Sequence, residues 1–124
     1  MQLNYQKNDM IYAAVGVHPH DTEEMDEMTL TMIKGLAKKE KVMAIGEIGL
    51  DYYYDNSPRD IQKKWFVEQI RLAKEVGLPI IIHDRDANND VMNILKVEEA
   101  FENGVLMHCY SGSAELAKQY VKLG

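Results

Sequence analysis

Four short apolar runs constrain this chain most, because each lacks polar alternation and each stops at a residue suited to hold a metal ion or move a proton. Residues 11–17 (IYAAVGV) stop at His18-Pro19-His20, and residues 42–45 (VMAI) stop at Gly46-Glu47. Residues 80–82 (III) stop at His83-Asp84-Arg85-Asp86, and residues 105–107 (VLM) stop at His108-Cys109-Tyr110-Ser111-Gly112. Strands apolar on both faces are the habit of parallel sheets covered by helices, not of half-wet antiparallel ones. The stretches between them have helical spacing, so the order is strand then helix, four times over.

The spacing predicts a helix capped by Asp21 or Thr22, with Glu23-Glu24 at its positive end and Met25, Met28, Met32, Ile33, Leu36 and Ala37 as its inner face. Ser57-Pro58-Arg59-Asp60 predicts a second start: Ser57 as cap, Pro58 at the first position, and an inner face of Ile61, Trp65, Phe66, Ile70 and Ala73. Gly77 should stop that helix. A third helix should begin at Asn88 or Asn89 and carry Val91, Ile94 and Leu95; a fourth should begin near Ser113. The polar residues 1–10 read as a lead-in, and the residues after Glu47 as an aromatic loop, Leu50-Asp51-Tyr52-Tyr53-Tyr54.

At 124 residues the chain is one domain's worth of sequence. No apolar run approaches the roughly 18 residues that span a bilayer, and residues 1–9 lack the apolar centre of a signal peptide. The single cysteine, Cys109, cannot close an internal disulfide, so a reducing cytoplasm is the expected setting. A net charge of −6 argues against a protein that holds nucleic acid by a broad basic surface. It leaves room for an enzyme that meets phosphates through bound metal ions.

All four histidines, His18, His20, His83 and His108, fall just past a predicted strand, and the remaining strand ends in Glu47. The carboxyl ends of parallel strands are the functional face of such folds. Imidazoles gathered with a carboxylate suit Zn²⁺, Mn²⁺ or a similar ion, and a bridging Glu suits two. No glycine-rich phosphate loop is present, no nucleophile elbow surrounds Ser111, and Cys109 sits beside a ligand-type histidine, which accounts for its position.

The motifs GVHPH (Gly16 to His20), GEIGLDYY (Gly46 to Tyr53), PIIIHDRDA (Pro79 to Ala87) and HCYSG (His108 to Gly112), in this order and spacing, resemble the TatD family of metal-dependent deoxyribonucleases. The resemblance covers residues 12–124 within a single partial domain of residues 1–124. It implies an α/β fold of four consecutive βα units of a (β/α)8 barrel, with parallel strands and the helices outside. It also implies a divalent metal site (Zn, Mg or Mn, up to two ions) at the C-terminal face. By motif, Glu47 resembles the shared metal carboxylate, and His83 and His108 the imidazole ligands; these three are the implied catalytic set, with ion-activated water as nucleophile. His18, His20, Asp51, Tyr52 and Arg85 are the implied substrate-side residues, Arg85 being suited to a phosphate oxygen.

The family's first strand ends in a metal-binding His-x-His pair, and nothing like it precedes Tyr12; a late strand of the family carries an Asp ligand, and this sequence stops at Gly124 before that strand. The chain therefore reads as strands two to five of a barrel of roughly 250 residues. Strand edges near Tyr12 and Met107 should then lie open, which predicts self-association of the partial barrel. The expected function is hydrolysis of DNA phosphodiester bonds, without membrane partners. An amidohydrolase or lactonase acting on small molecules is the alternative on the same fold, and a catalytically silent fragment or interaction module is the alternative of another class.

Overall fold

The computed structural model describes residues 2–4 and 13–109. The expected strand residues Ile11 and Tyr12, the loop residues Tyr110, Ser111 and Gly112, and the helix expected from Ser113 lie outside the described residues. Within them the order is β1 (Gln2–Asn4), β2 (Ala13–Gly16), a 3-10 helix (Pro19–Glu24), α1 (Glu27–Ala37), β3 (Val42–Asp51), α2 (Arg59–Val76), β4 (Ile80–Arg85), α3 (Asn88–Val97) and β5 (Val105–Cys109).

The five strands form one sheet in sequence order; β2 to β5 are parallel and β1 pairs antiparallel with β2. Parallel neighbours joined in sequence order by right-handed crossovers carry all their helices on one face, which is the winding of a βα barrel rather than of a doubly wound sheet. The expected α/β fold of consecutive βα units is therefore present. The core is the seam between strands and helices: Val15, Ile45, Ile48, Leu50 and Ile82 meet Ile33, Phe66, Ile70, Val91 and Leu95, all fully buried.

Several local expectations fail, each for a physical reason. Residues 2–4 are a strand, not a lead-in; they pair with Ala14, Val15 and Gly16 and satisfy backbone groups on the edge that the sequence left open. The first helix does not run from Asp21. His18 Nδ1 accepts the His20 amide and opens a 3-10 turn, extended Met25 ends it, and Asp26 restarts the chain as α1 with a capping box to Thr29. That shift turns Met28 and Met32 outward, 73% and 52% exposed, so neither is core. Ser57 does not cap α2. It is buried, takes the Glu23 amide and donates to the His20 carbonyl, tying the 3-10 turn to the start of α2. The inner face of α2, with Trp65, Phe66, Ile70 and Ala73 buried, and the Gly77 stop at φ 75° are as expected.

The largest difference is in β3, which does not end at Glu47 but continues to Asp51. Gly46 pairs with Ile81 and Ile48 with Ile82, leaving Glu47 as an extra residue in the ladder. Such a bulge re-aims one side chain without ending the strand. Glycines flank it because β3 and β4 approach too closely for side chains. A Cβ on Gly46 would lie 2.6 Å from Ile81 Cβ, and one on Gly49, at φ +146°, would lie 2.0 Å from the His83 carbonyl oxygen.

Two buried glutamines on α2, seven positions apart on its inner face, fasten the ends of β2 and β3. Gln69 accepts the Val17 amide at 2.7 Å and donates to the Val17 carbonyl at 3.3 Å. Gln62 accepts the Asp51 amide at 2.8 Å and donates to the carbonyls of Asp51 and Ser57. Replacing Gln69 by Leu strands a buried amide and carbonyl, each costing roughly 1–3 kcal/mol. Gln69→Leu should therefore lower unfolding stability by about 2–4 kcal/mol in urea titrations; an unchanged midpoint would remove this clamp from the account.

Candidate metal centre

The strand register alone brings the motif residues together. His83 on β4 lies opposite His108 on β5 and opposite Gly49 on β3, and Arg85 lies opposite Asp51. The bulge then points Glu47 into the same row. Glu47 Oε1 stands 3.5 Å from His83 Nδ1 and 3.6 Å from His108 Nδ1, and His18 Nε2 stands 3.3 Å from His83 Nδ1. The sequence placed His83 and His108 just beyond their strands and Glu47 at the end of its own; all three in fact lie within strands, on the more rigid part of the scaffold.

Asp51, 1% exposed, organises the row from below. Its Oδ1 accepts the amides of Tyr53 and Tyr54 at 3.1 and 3.0 Å. Its Oδ2 accepts Nε2–H of both His20 and His83, each at 2.9 Å. Both oxygens are thus engaged as hydrogen-bond acceptors. Donation of Nε2–H to Asp51 leaves the Nδ1 lone pair of His83 facing the site, where it accepts His18 Nε2–H at 3.3 Å with Glu47 Oε1 beside it, and the Asp51–His83 pair is the carboxylate–histidine arrangement that orients imidazole ligands.

Among the described residues, two groupings have the spacing to hold an ion: His18, Glu47 and His83, and His20, Asp51 and His83. The second consists of hydrogen bonds already made. In the first, His18 is constrained by its tautomer. Its Nδ1 accepts the His20 amide, so the neutral ring carries its proton on Nε2 and presents a donor to the site. Glu47 and His83 are the donors this geometry leaves for an ion, with His108 across the carboxylate. One carboxylate and imidazole nitrogens fit a divalent transition ion by donor type.

An open cleft of about 330 Å³ borders the row and includes His18, His20, Asp51, His83, Tyr54 and Arg85 in its lining. Of the substrate-side residues named from the sequence, Tyr52 alone is elsewhere. Its hydroxyl donates to Asp90 at 2.6 Å, Arg59 stacks 4.1 Å over its ring, and it borders a neighbouring cleft at the start of α3. Sequence reasoning missed Gln62 and Gln69; polar residues seven apart on an otherwise apolar helix face were the available signal.

Burial, with His83 and His20 beside it, pushes the His18 imidazole down to about 4 against the opposing pull of Glu47 and Asp21. Burial raises Asp51, but the Tyr54 amide and the His83 and His20 rings outweigh it and hold the carboxyl down at about 2. In both cases the unfolded chain takes up its proton at higher pH than the folded one. Stability should fall as pH drops from about 6.5 to about 4, where unfolded His18 charges, and fall again below about 4 through Asp51. Urea midpoints of the chain in EDTA should decline in that order, and His18→Asn should flatten the upper leg. A midpoint constant from pH 7 to 4.5 would contradict the buried neutral His18.

A family model described as TatD related DNase matches residues 1–124. A metal-dependent hydrolase of Bacillus subtilis, YabD, whose own function is uncharacterised, is 57% identical over 118 residues, covering 95% of this chain and 46% of that protein. The 3'-5' ssDNA/RNA exonuclease TatD of a Rahnella species is 36% identical over 116 residues, covering 94% of this chain and 44% of that protein. The crystal structure of YJJV, a TatD homologue from Escherichia coli K12, superposes with a TM-score of 0.85 at 34% identity, covering 95% of this chain and 46% of that one. The chain thus spans under half the length of the relatives it matches. Among the described residues, no helix is long and apolar enough to cross a membrane. The match of the family model from end to end, together with relatives and a solved fold that share the motif-bearing strands, means that this chain belongs to the TatD related DNase family.

Proposed function

We propose that this chain carries one side of the catalytic site of a metal-dependent hydrolase that cleaves DNA phosphodiester bonds, with Glu47, His83 and His108 as ion ligands. The observation that supports this reading best is the Glu47 carboxylate between two imidazole nitrogens, one of which is oriented by a buried aspartate. The exonuclease name of the Rahnella relative supports nucleic acid as the substrate class. With imidazole nitrogens in the majority, the donor set favours Zn²⁺ or Mn²⁺ over Mg²⁺. A divalent ion bound there supplies a Lewis acid that lowers the pKa of water and offsets phosphate charge.

The remaining groups act on the substrate. His18, neutral and with its proton on Nε2, donates to a non-bridging phosphate oxygen. Arg85 at the cleft rim supplies positive charge to the next phosphate. Asp51 holds His83 and His20 in one tautomer and keeps both rings fixed while substrate enters. The compartment that suits a lone cysteine is the cytoplasm, and the β5 edge, where Leu106 is exposed, offers a route to self-association.

Incubating the chain with an end-labelled single-stranded oligonucleotide, a lactone and an amide, each with Mn²⁺, Zn²⁺ or EDTA, tests the reading. Ion-dependent shortening of the oligonucleotide alone is the expected result. Turnover of the lactone or amide with the oligonucleotide intact would overturn it.

A further inference from the structure

The face of the sheet turned away from the helices has two halves of opposite shape. Side chains alternate across a strand. Ile80 and Ile82 are buried in the core, and Val105 and Met107 pack against it, so Ile81 and Leu106 point the other way. These two are neighbours in the register, and Leu106 is 63% exposed. On the adjoining strands the same face carries Ala14 opposite Ala44, and Gly46 opposite Ile81. An apolar ridge over β4 and β5 thus borders a shallow trough over β2 and β3.

Charge differs between the two ends of this face. Two residues beyond Ile81 and Leu106 come His83 and His108, with the Glu47 carboxylate between their Nδ1 atoms. At the other end, the turn into β3 carries Lys38 and Lys39, and the turn into β5 carries Glu99 and Glu102, all four exposed. Basic charge stands at the foot of the trough and acidic charge at the foot of the ridge.

We infer that a second copy of this chain covers the face, as a two-fold dimer with the axis along the strands and each ridge seated in the partner's trough. Two-fold pairing needs a surface complementary to itself, and a ridge beside a trough is one. An axis along the strands keeps both copies' strands running the same way. It brings Glu99 and Glu102 to the partner's Lys38 and the partner's Lys39, and the imidazole rows of the two copies to the same end of the dimer. An axis across the strands would set ridge on ridge and press each imidazole row onto apolar side chains, which strips water from polar groups without replacing it. Four strands about 4.8 Å apart and five residues long present roughly 300 Å² of flat face. That is less than the roughly 800 Å² per partner of a tight interface, so the dimer should be reversible, with a Kd on the order of tens of micromolar. The dimer specifies the self-association already proposed and rests on it, not on the hydrolase chemistry.

Sedimentation velocity of the chain in EDTA, from about 2 to about 500 µM, tests the dimer. The mass should rise from 14.2 kDa to twice that value and stop. L106K should raise the dissociation constant at least about tenfold, whereas M28K, at a residue 73% exposed on α1, should leave it unchanged. E99K/E102K and K38E/K39E should each weaken association at least about threefold, and an equimolar mixture of the two should recover it, because both contacts of the mixed dimer then pair opposite charges. A monomer across the whole range would overturn the dimer and the self-association reading together. Association that L106K leaves intact, or that grows beyond a dimer, would place the contact at a strand edge and overturn the covered face alone. Failure of the mixture to recover association would overturn the axis along the strands.

Discussion

Replacing Glu47 by Gln should reduce ion-dependent cleavage by on the order of 10³-fold or more while leaving the chain folded. The substitution keeps the volume of a half-buried side chain but removes the charge that His83 and His108 share at 3.5 and 3.6 Å. Bound metal contributes several kcal/mol to stabilising charge in a phosphoryl transition state, and about 1.4 kcal/mol corresponds to one decade of rate. The bulge that presents Glu47 is built from backbone register and two glycines, not from the carboxylate, so the circular-dichroism spectrum and urea midpoint of Glu47→Gln should stay near wild type. Rates within a factor of about three of wild type would remove Glu47 from the mechanism.

The second large effect concerns stability. Gly49→Ala should prevent cooperative folding. At φ +146° an L side chain is strained, and here its Cβ would sit 2.0 Å from the His83 carbonyl oxygen, a backbone atom that cannot swing away. Strain of this kind costs of order 1–3 kcal/mol even where there is space, and separating β3 from β4 would add to it. A loss of about 4 kcal/mol or more is a large share of the roughly 5–15 kcal/mol available to a domain. Gly35→Ala is the matched control: on exposed α1, with nothing within 4 Å of the new Cβ, it should leave stability unchanged or raise it by up to about 1 kcal/mol. A sharp, near-wild-type urea transition for Gly49→Ala would mean that β3 and β4 are not packed this closely.

The same glycines show where the sequence was legible and where it was not. Apolar runs such as Ile80-Ile81-Ile82 announced buried parallel strands because hydrophobic burial alone decides them, and the histidines at the ends of those runs announced which side chains gather in one row. Gly46 and Gly49 read as strand breakers, since a lone sequence shows their flexibility but not the β4 backbone that requires it. Glu47 therefore read as the end of a strand and Asp51 as part of a loop, when both belong to one bulged strand. The buried face of α1 misled for a related reason. Met28 and Met32 have core-like chemistry, yet the helix phase was set by Asp26 and Thr29 after a turn that depends on His18 and Ser57, residues distant in sequence from its cap. Gln62 and Gln69 left only their spacing on an apolar face as a signal, because their partners, Asp51 and Val17, come close only once α2 lies on the sheet.

Asp51 connects these levels. One carboxylate fixes the tautomer of His83, the orientation of His20 and the loop carrying Tyr53 and Tyr54, so the proposed ion ligands and the loop beside them share a support. The most direct test of the central claim is calorimetric titration of the chain with Mn²⁺. The wild-type chain should bind saturably, with binding weakened at least about tenfold in both Glu47→Gln and His83→Asn. Equal binding by the wild-type chain and both variants, or no binding by the wild-type chain, would contradict it.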